Sequence, residues 1–277
     1  MAQLTAAERE ELISVAAELA EAARVATLSH FRTAGLSAET KETDHFDPVT
    51  VADRLSEQRM RAILARRRPQ DAVLGEEMGP TPGTSGLTWV LDPIDGTRSY
   101  LAGTPTWGVL ISVADKTGPI YGLIDQPYIG ERFEGGFGRA EMVGPHWRRP
   151  LRARAARPLS EAILMTTYPE VGTPDEGAAF RRLVAQCRLT RYGIDCYAYA
   201  LIAAGHIDLV VEAGLQAYDV GAPIAVIEAA GGIVTTWQGQ PAQQGGQILA
   251  AANREIHAAA MAVLNGLATD SPGNCIG

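Results

Sequence analysis

The chain is poor in cysteine. Three occur in 277 residues, Cys187, Cys196 and Cys275, and none forms a C-x-x-C pair. So few, in an odd number, argue against a disulfide framework and a zinc ribbon, and they fit a reducing cytoplasm. Cys187 and Cys196 read as small buried hydrophobes, and Cys275 falls in the tail "DSPGNCIG". Positive charge is also scarce. With 32 acidic against 24 basic residues, the formal net charge is -8. That balance argues against nucleic acid as a partner. An anionic substrate remains allowed, because a bound metal reverses the field locally. No apolar run approaches the roughly 20 residues of a membrane span, so no membrane partner is expected. The acidic, amphipathic N-terminus lacks the parts of a signal peptide. His30, His45, His146 and His257 show no ligand spacing for zinc, and His206 in "AAGHIDLV" reads as a helix C-terminal cap.

What is present is ordinary globular material, 46% hydrophobic and 20% charged, enough for one large domain or two joined ones. Residues 5–33 read as an amphipathic helix opened by a Thr5–Glu8 capping box. A second helix spans about 52–67, stops before Pro69 and ends in a solvated "RRRP". Short strand-like runs follow: "AVLGEE", "TWVLD", "WGVLISVAD", "IYGLIDQP" and "ERFEGGFG", with a loop at 79–86. After about residue 150 strands and helices alternate, with helices near 174–186, 195–205, 219–230 and 254–266. The pattern predicts an α/β (α+β) chain with helices layered against sheets. The expected halves are 1–149, more antiparallel and rich in carboxylates, and 150–277.

Carboxylates gather where strands end and helices begin. Asp53 closes "DPVTVAD"; Glu76 and Glu77 follow "AVLG"; Asp92 and Asp95 follow "WVL"; Asp219 sits in "AYDVGAP". Singly, each has a bland reading. Asp53 and Asp219 suit helix caps, Glu77 a solvated turn, and "DPIDG" an Asx turn with positive φ at Gly96. Together they offer hard oxygen ligands for Mg²⁺. The Pro93–Ile94 spacer holds two of them on one rigid turn. The helix opening at Gly96 and Thr97 presents amides that suit a phosphate. Two metals beside a helix N-terminus are the equipment of phosphate ester hydrolysis.

Four motifs in order, "DPVTVAD", "GEE", "WVLDPIDGT" and "YDVGAPIAVIEAAGG", resemble the inositol monophosphatase-like, Mg²⁺-dependent phosphatases across nearly the whole chain. The resemblance implies a layered αβαβα sandwich, shared with fructose-1,6-bisphosphatase, and a homodimer. It implies two to three Mg²⁺ per site. Glu76, Asp92 and the Ile94 carbonyl would hold the first; Asp92, Asp95 and Asp219 the second; a weaker third would sit near Glu76. Thr97 would bond Asp53, the pair deprotonating the attacking water, and the amides of Gly96 and Thr97 would hold phosphate. "DGTRSY", "GLIDQPYIGERFEGG" and "RYGIDCYAYALIAAGHIDLVVEAGLQAYD" resemble the histidinol-phosphatase branch. The substrate is then a small phosphorylated metabolite bearing a cationic amine and an imidazole, met by Asp195 and Glu212. Arg98 would reach the substrate or pair with a carboxylate. Asp195 as a helix N-cap is the competing reading. Tyr197, Tyr199 and Tyr218 are core or pocket residues. The chain departs from the family at Val51, at the acidic lead-in 41–48, at Gly221 and at Pro223, which is expected in a helix's first turn. Inositol-1-phosphate or another sugar phosphate is the alternative substrate. A regulatory binding protein retaining the fold is the alternative of another class.

Overall fold

A computed structural model describes residues 4–40 and 48–267. The readings made for 41–47, His45 among them, and for Cys275 lie outside the described residues. The first helix, α1 (Ala6–Leu28), opens with the expected box: Glu8 N donates to Thr5 Oγ1 at 3.2 Å and Thr5 N to Glu8 Oε2 at 2.7 Å. It stops short of residue 33. Ser29 Oγ bonds back to the Ala26 carbonyl, and Arg32 takes a φ of 58°, which a helix cannot continue through. A short pair follows, β1 (Ala38–Thr40) and β2 (Pro48–Thr50), then α2 (Val51–Arg67). The basic end of α2 is tied down rather than merely solvated. Arg66 and Arg67 bond Glu18, and Arg67 also bonds Glu11, so α2 lies clamped along α1.

The strands β3 (Ala72–Gly75), β4 (Gly79–Thr81) and β5 (Thr88–Asp95) come next, then the short helix α3 (Thr97–Ala102). The stretch expected as a loop from residue 79 thus begins as a strand, because Thr81 pairs with Val73 across a tight hairpin. A meander continues through β6 (Gly108–Asp115), β7 (Gly118–Gln126), β8 (Glu131–Gly136), β9 (Arg139–Gly144) and β10 (Trp147–Pro150). These form an eight-stranded sheet, β10-β9-β8-β7-β6-β5-β3-β4, antiparallel except between β3 and β5. The second half supplies β11 (Ile163–Thr166), α4 (Pro174–Val184), β12 (Leu189–Tyr192), α5 (Tyr197–Ala203), β13 (Leu209–Leu215), α6 (Ala217–Ala229), β14 (Ile233–Thr235), β15 (Gly246–Ala251) and α7 (Arg254–Leu264). Its strands form a five-stranded sheet ordered β12-β11-β13-β15-β14.

Helices α1 and α2 cover one face of the large sheet. Helices α5 and α6 lie between the sheets, and α4 and α7 back the small one, giving αβαβα layers. The middle layer packs closely. A Cβ on Gly122 of β7 would meet the Ala222 carbonyl at 2.5 Å, and one on Gly135 of β8 the Cα of Val226 at 2.4 Å. The α6 backbone therefore rests directly on the sheet. Gly221 is part of that fit, since a Cβ there would meet Ser112 Oγ at 2.4 Å. Pro223 lies in the second turn of α6, not the first. It brings no N–H to the Asp219 carbonyl that a regular helix would bond.

Candidate active site

The site begins with an interruption of β5. Asp92 pairs with Leu110 and Asp95 with Gly108, so the ladder slips between them. Pro93 cannot donate to a ladder, and a bulge is the local solution. The two aspartates thus lie within the strand, not on a turn after it. The Asx geometry is present: Ile94 N donates to Asp92 Oδ1 at 3.0 Å, and Gly96 takes a φ of 85°. Asp92 is 1% exposed.

Two helices aim carboxylates at this bulge in the same way. In α2 Thr50 is the N-cap and Asp53 the third helical residue, its Oδ2 accepting from Thr50 N at 2.9 Å and Thr50 Oγ1 at 2.5 Å. In α6 the Asp219 Oδ2 accepts from Gln216 N at 2.6 Å. Each aspartate spends one oxygen on its helix start. The second oxygen of Asp53 accepts from Thr97 Oγ1 at 3.3 Å, and Thr97 also faces the Ile94 carbonyl at 3.1 Å. Asp53 therefore serves its helix start as the third residue of a capping box, with Thr50 as the N-cap, and also bonds Thr97.

Asp92, Asp95 and Asp219 each offer an oxygen, and these atoms lie within 4.8 Å of one another. Burial, then the charges of Glu76, Asp95 and Asp219, hold the Asp92 carboxyl well above its ordinary range. Burial, then Asp195 and Asp219, do the same to Asp95, although Cys196 N donates to its Oδ2 at 2.6 Å. Burial outweighs the Gln216 bond and pushes Asp219 to about 7. Burial likewise brings Asp53 to about 6 against its Thr50 bonds. Among the described residues, no arginine or lysine bonds Asp92, Asp95 or Asp219. Crowded, desolvated carboxylates of this kind suit a divalent cation with oxygen ligands, so the residues present fit Mg²⁺.

A cavity of about 480 Å³ opens over the bulge, lined there by Glu76, Asp92, Ile94, Asp95, Gly96, Thr97 and Asp219. Its far wall comes from the second sheet. Glu212 sits beside a bulge in β13, its carboxylate accepting from Thr167 N at 3.0 Å, Thr167 Oγ1 at 2.7 Å and Tyr199 OH at 2.7 Å. Asp195 precedes α5 with a φ of 48°. Its side chain does not cap that helix: Oδ2 accepts from Ser99 Oγ at 2.5 Å and Thr106 Oγ1 at 2.8 Å. The N-cap reading of Asp195 thus gives way to a clasp between α5 and α3. A Cβ on Gly96 would meet Asp195 Cγ at 2.7 Å, so the turn must be glycine to let that carboxylate in. Burial raises both wall carboxyls, and their hydroxyl and amide donors pull the other way.

Arg98 stands exposed at the mouth, where Nη1 donates to Tyr168 OH at 2.7 Å and the guanidinium stacks 5.2 Å from that ring. Tyr199 and Tyr218 line the cavity. Tyr197 instead bonds Glu131 and packs on Phe133. Thr50, Thr167 and Tyr168 carried no reading from the sequence. Of these, only Thr50 had a local signal, the T-x-x-D spacing of a helix start.

The comparisons with known proteins agree with this fold. A family model described as inositol monophosphatase family matches residues 8–269. A protein of Arabidopsis thaliana named bifunctional phosphatase IMPL2, chloroplastic, is 38% identical over 86% of this chain and 68% of its own length. A histidinol-phosphatase of Streptomyces coelicolor is 34% identical over 89% of this chain and 94% of its own. The solved structure of an inositol monophosphatase from Zymomonas mobilis superposes with a TM-score of 0.81 at 33% identity, covering 95% of this chain and 100% of the other. A matching family model over nearly the whole length, on a fold that brings three of the four motifs to one cavity and joins Asp53 of the other to Thr97, places the chain in the inositol monophosphatase family.

Proposed function

We propose that this phosphatase hydrolyses L-histidinol phosphate, as a step of histidine biosynthesis, with Mg²⁺ held by Glu76, Asp92, Asp95, Asp219 and the Ile94 carbonyl. Bound there, Mg²⁺ supplies an acidified water, charge neutralisation on phosphorus and stabilisation of the leaving alkoxide. The chain supplies the rest. Thr97 Oγ1, donating to ionised Asp53, accepts a proton from the attacking water as its own passes to Asp53. The first amides of α3 have no helical acceptor, and those of Gly96 and Thr97 receive phosphate oxygens. As in the sequence reading, the protein acts as a cytoplasmic homodimer.

The observation that carries the substrate assignment is the acidic far wall. Asp195 and Glu212 are 8% and 7% exposed, both line the cavity, and no arginine or lysine among the described residues bonds them. An ammonium or imidazolium is the complement such a wall lacks. A second reading rests on the same two residues. Their carboxylates already accept from the hydroxyls of Ser99, Thr106, Thr167 and Tyr199, and the hydroxyls of inositol-1-phosphate would bond in the same manner.

The test is phosphate release in Mg²⁺ from L-histidinol phosphate, inositol-1-phosphate and fructose-1,6-bisphosphate, with a chelated control. A kcat/KM at least about tenfold higher for histidinol phosphate is expected, the worth of one charged hydrogen bond of roughly 1.5 kcal/mol. Equal or faster release from inositol phosphate would overturn the substrate and keep the chemistry.

A further inference from the structure

Glu76 differs from the other candidate ligands in how it is held. Asp92 and Asp95 sit on a strand bulge, and Asp219 on a helix start. Glu76 is the first residue of the three-residue turn between β3 and β4, an element with little rigidity of its own. Its backbone N bonds the Leu91 carbonyl at 3.2 Å, which pins one side of the turn to β5. The other side is pinned by a residue outside the cavity.

That residue is Glu57, on α2 one turn beyond Asp53 and 0% exposed. Its Oε2 accepts from Glu77 N at 2.7 Å and its Oε1 from Met78 N at 3.2 Å. Arg61 Nε donates to the same Oε1 at 2.7 Å. The Arg61 guanidinium also bonds Thr81 Oγ1 at 2.9 Å and the Gly79 carbonyl. The Glu57 carboxyl fills the space that a side chain at residue 75 would need: a Cβ on Gly75 would lie 2.1 Å from Oε1. Glu57 is absent from the cavity lining. Its carboxylate takes the two successive backbone amides of Glu77 and Met78, on either side of residue Glu77.

We propose that Glu57 is a positioning residue, its carboxylate fixing the turn that aims Glu76 into the cation site. Helix α2 then serves the site twice, through Asp53 toward Thr97 and through Glu57 toward Glu76. Second-layer groups that orient a ligand commonly change metal affinity by about 10- to 100-fold. The inference rests on Glu76 being a cation ligand, and its test separates the two claims.

The measurement is Mn²⁺ affinity of the intact, metal-stripped protein, read by the free-ion paramagnetic resonance signal. The variants are Glu57→Gln, Glu76→Gln and the double variant, with fold monitored by circular dichroism. An amide at residue 57 turns a donor toward Arg61 or toward a backbone N–H, so the turn loses part of its anchor. Glu57→Gln is expected to lose about tenfold in Mn²⁺ affinity, near the low end of that range. The double variant is expected to bind no more weakly than Glu76→Gln alone, because Glu57 acts through Glu76. Full affinity in Glu57→Gln, with a loss in Glu76→Gln, would overturn the positioning role alone. Additive losses would do the same. Unchanged affinity in Glu76→Gln would overturn the ligand assignment beneath it. Should Glu57→Gln fail to fold, Glu57→Asp keeps the charge and draws it back by one methylene. The same non-additivity with Glu76→Gln is then required.

Discussion

Two regions of this molecule bury carboxylates, and they treat them in opposite ways. On β7, in the middle of the large sheet, Asp125, fully buried, is met by Arg24 at 2.7 Å and Arg132 at 2.8 Å. Asp208, under the small sheet, faces Arg154 at 2.8 Å and Arg157 at 3.1 Å. Between the sheets Asp92, Asp95 and Asp219 receive single backbone amides and one another's repulsion. Arg98 is the only cationic side chain among the described residues lining that cavity, and it bonds a tyrosine at the rim. Among the described residues, then, arginine meets the buried acids Asp125 and Asp208 and none meets the crowded carboxylates. The difference teaches that the arginine-met acids are paired within the folded state, whereas the central set has the unpaired make-up that suits a cation.

The sharpest way to break this comparison is Asp95→Asn. If the central set serves Mg²⁺, kcat/KM falls by about a thousandfold, the several kcal/mol expected of a metal contact in the transition state. The metal-free variant should melt no lower than the metal-free wild type, because a repelling charge has gone. Wild-type turnover, or a large loss of Tm without metal, would move Asp95 into the structural class. Asp125→Asn should behave in reverse. Leaving two arginines around a neutral side chain should cost about 3 kcal/mol of stability, with kcat/KM at saturating Mg²⁺ close to wild type. A loss under about 1 kcal/mol would put both kinds of carboxylate on one footing.

Buried carboxylates near the bulge also predict a pH dependence. Asp53 and Asp219 ionise near 6 and 7 in the folded chain against an ordinary value of 3.8. Their folded values are raised, so the folded state disfavours ionisation. Stability is fully present below the unfolded value and is lost as pH rises through the folded ones. The metal-free protein should therefore gain Tm, by a few degrees, as pH is lowered from about 7.5 to 5.5. Saturating Mg²⁺ should flatten or invert that slope. A metal-free Tm that drops over the same interval would overturn the raised values of Asp53 and Asp219.

The sequence placed α1, α2, β3 and β5 to β8 by apolar spacing, took the αβαβα layering from the family resemblance, and carried no reading for β9, β10 and β14. It missed β4, hidden in a glycine- and proline-rich run whose strand character comes only from pairing with β3. It overran α1, since nothing in the apolar stripe announces the back-bonding of Ser29 or the left-handed Arg32. The carboxylates around the bulge could be named because each lies in a motif. Glu57 could not, for its role depends on a hairpin twenty residues away, where its carboxyl fills the space beside Gly75. Asp195 shows the same limit. From the sequence it was a helix cap or a substrate contact, and only the fold reveals Ser99 and Thr106 converging on its Oδ2.

Asp195 therefore gives the smallest of these effects and needs the most care. Asp195→Ala removes a carboxylate from the cavity wall, and it also unties Ser99 and Thr106 from α5. The second loss loosens α3, which begins with Thr97, and so lowers turnover of every phosphate ester. A cationic substrate suffers both losses and a neutral one only the second. The informative quantity is the ratio of the two declines. We expect L-histidinol phosphate to lose about tenfold more kcat/KM than inositol-1-phosphate, chiefly through KM, the mark of a binding contact made equally in ground and transition states. Asp195→Asn sharpens the distinction, since the amide oxygen can keep both hydroxyl bonds while the charge is gone. If Asn restores turnover of the neutral ester and leaves the cationic one impaired, the charge recognises substrate. If Asn restores both alike, Asp195 is a clasp between α3 and α5, and recognition falls to Glu212.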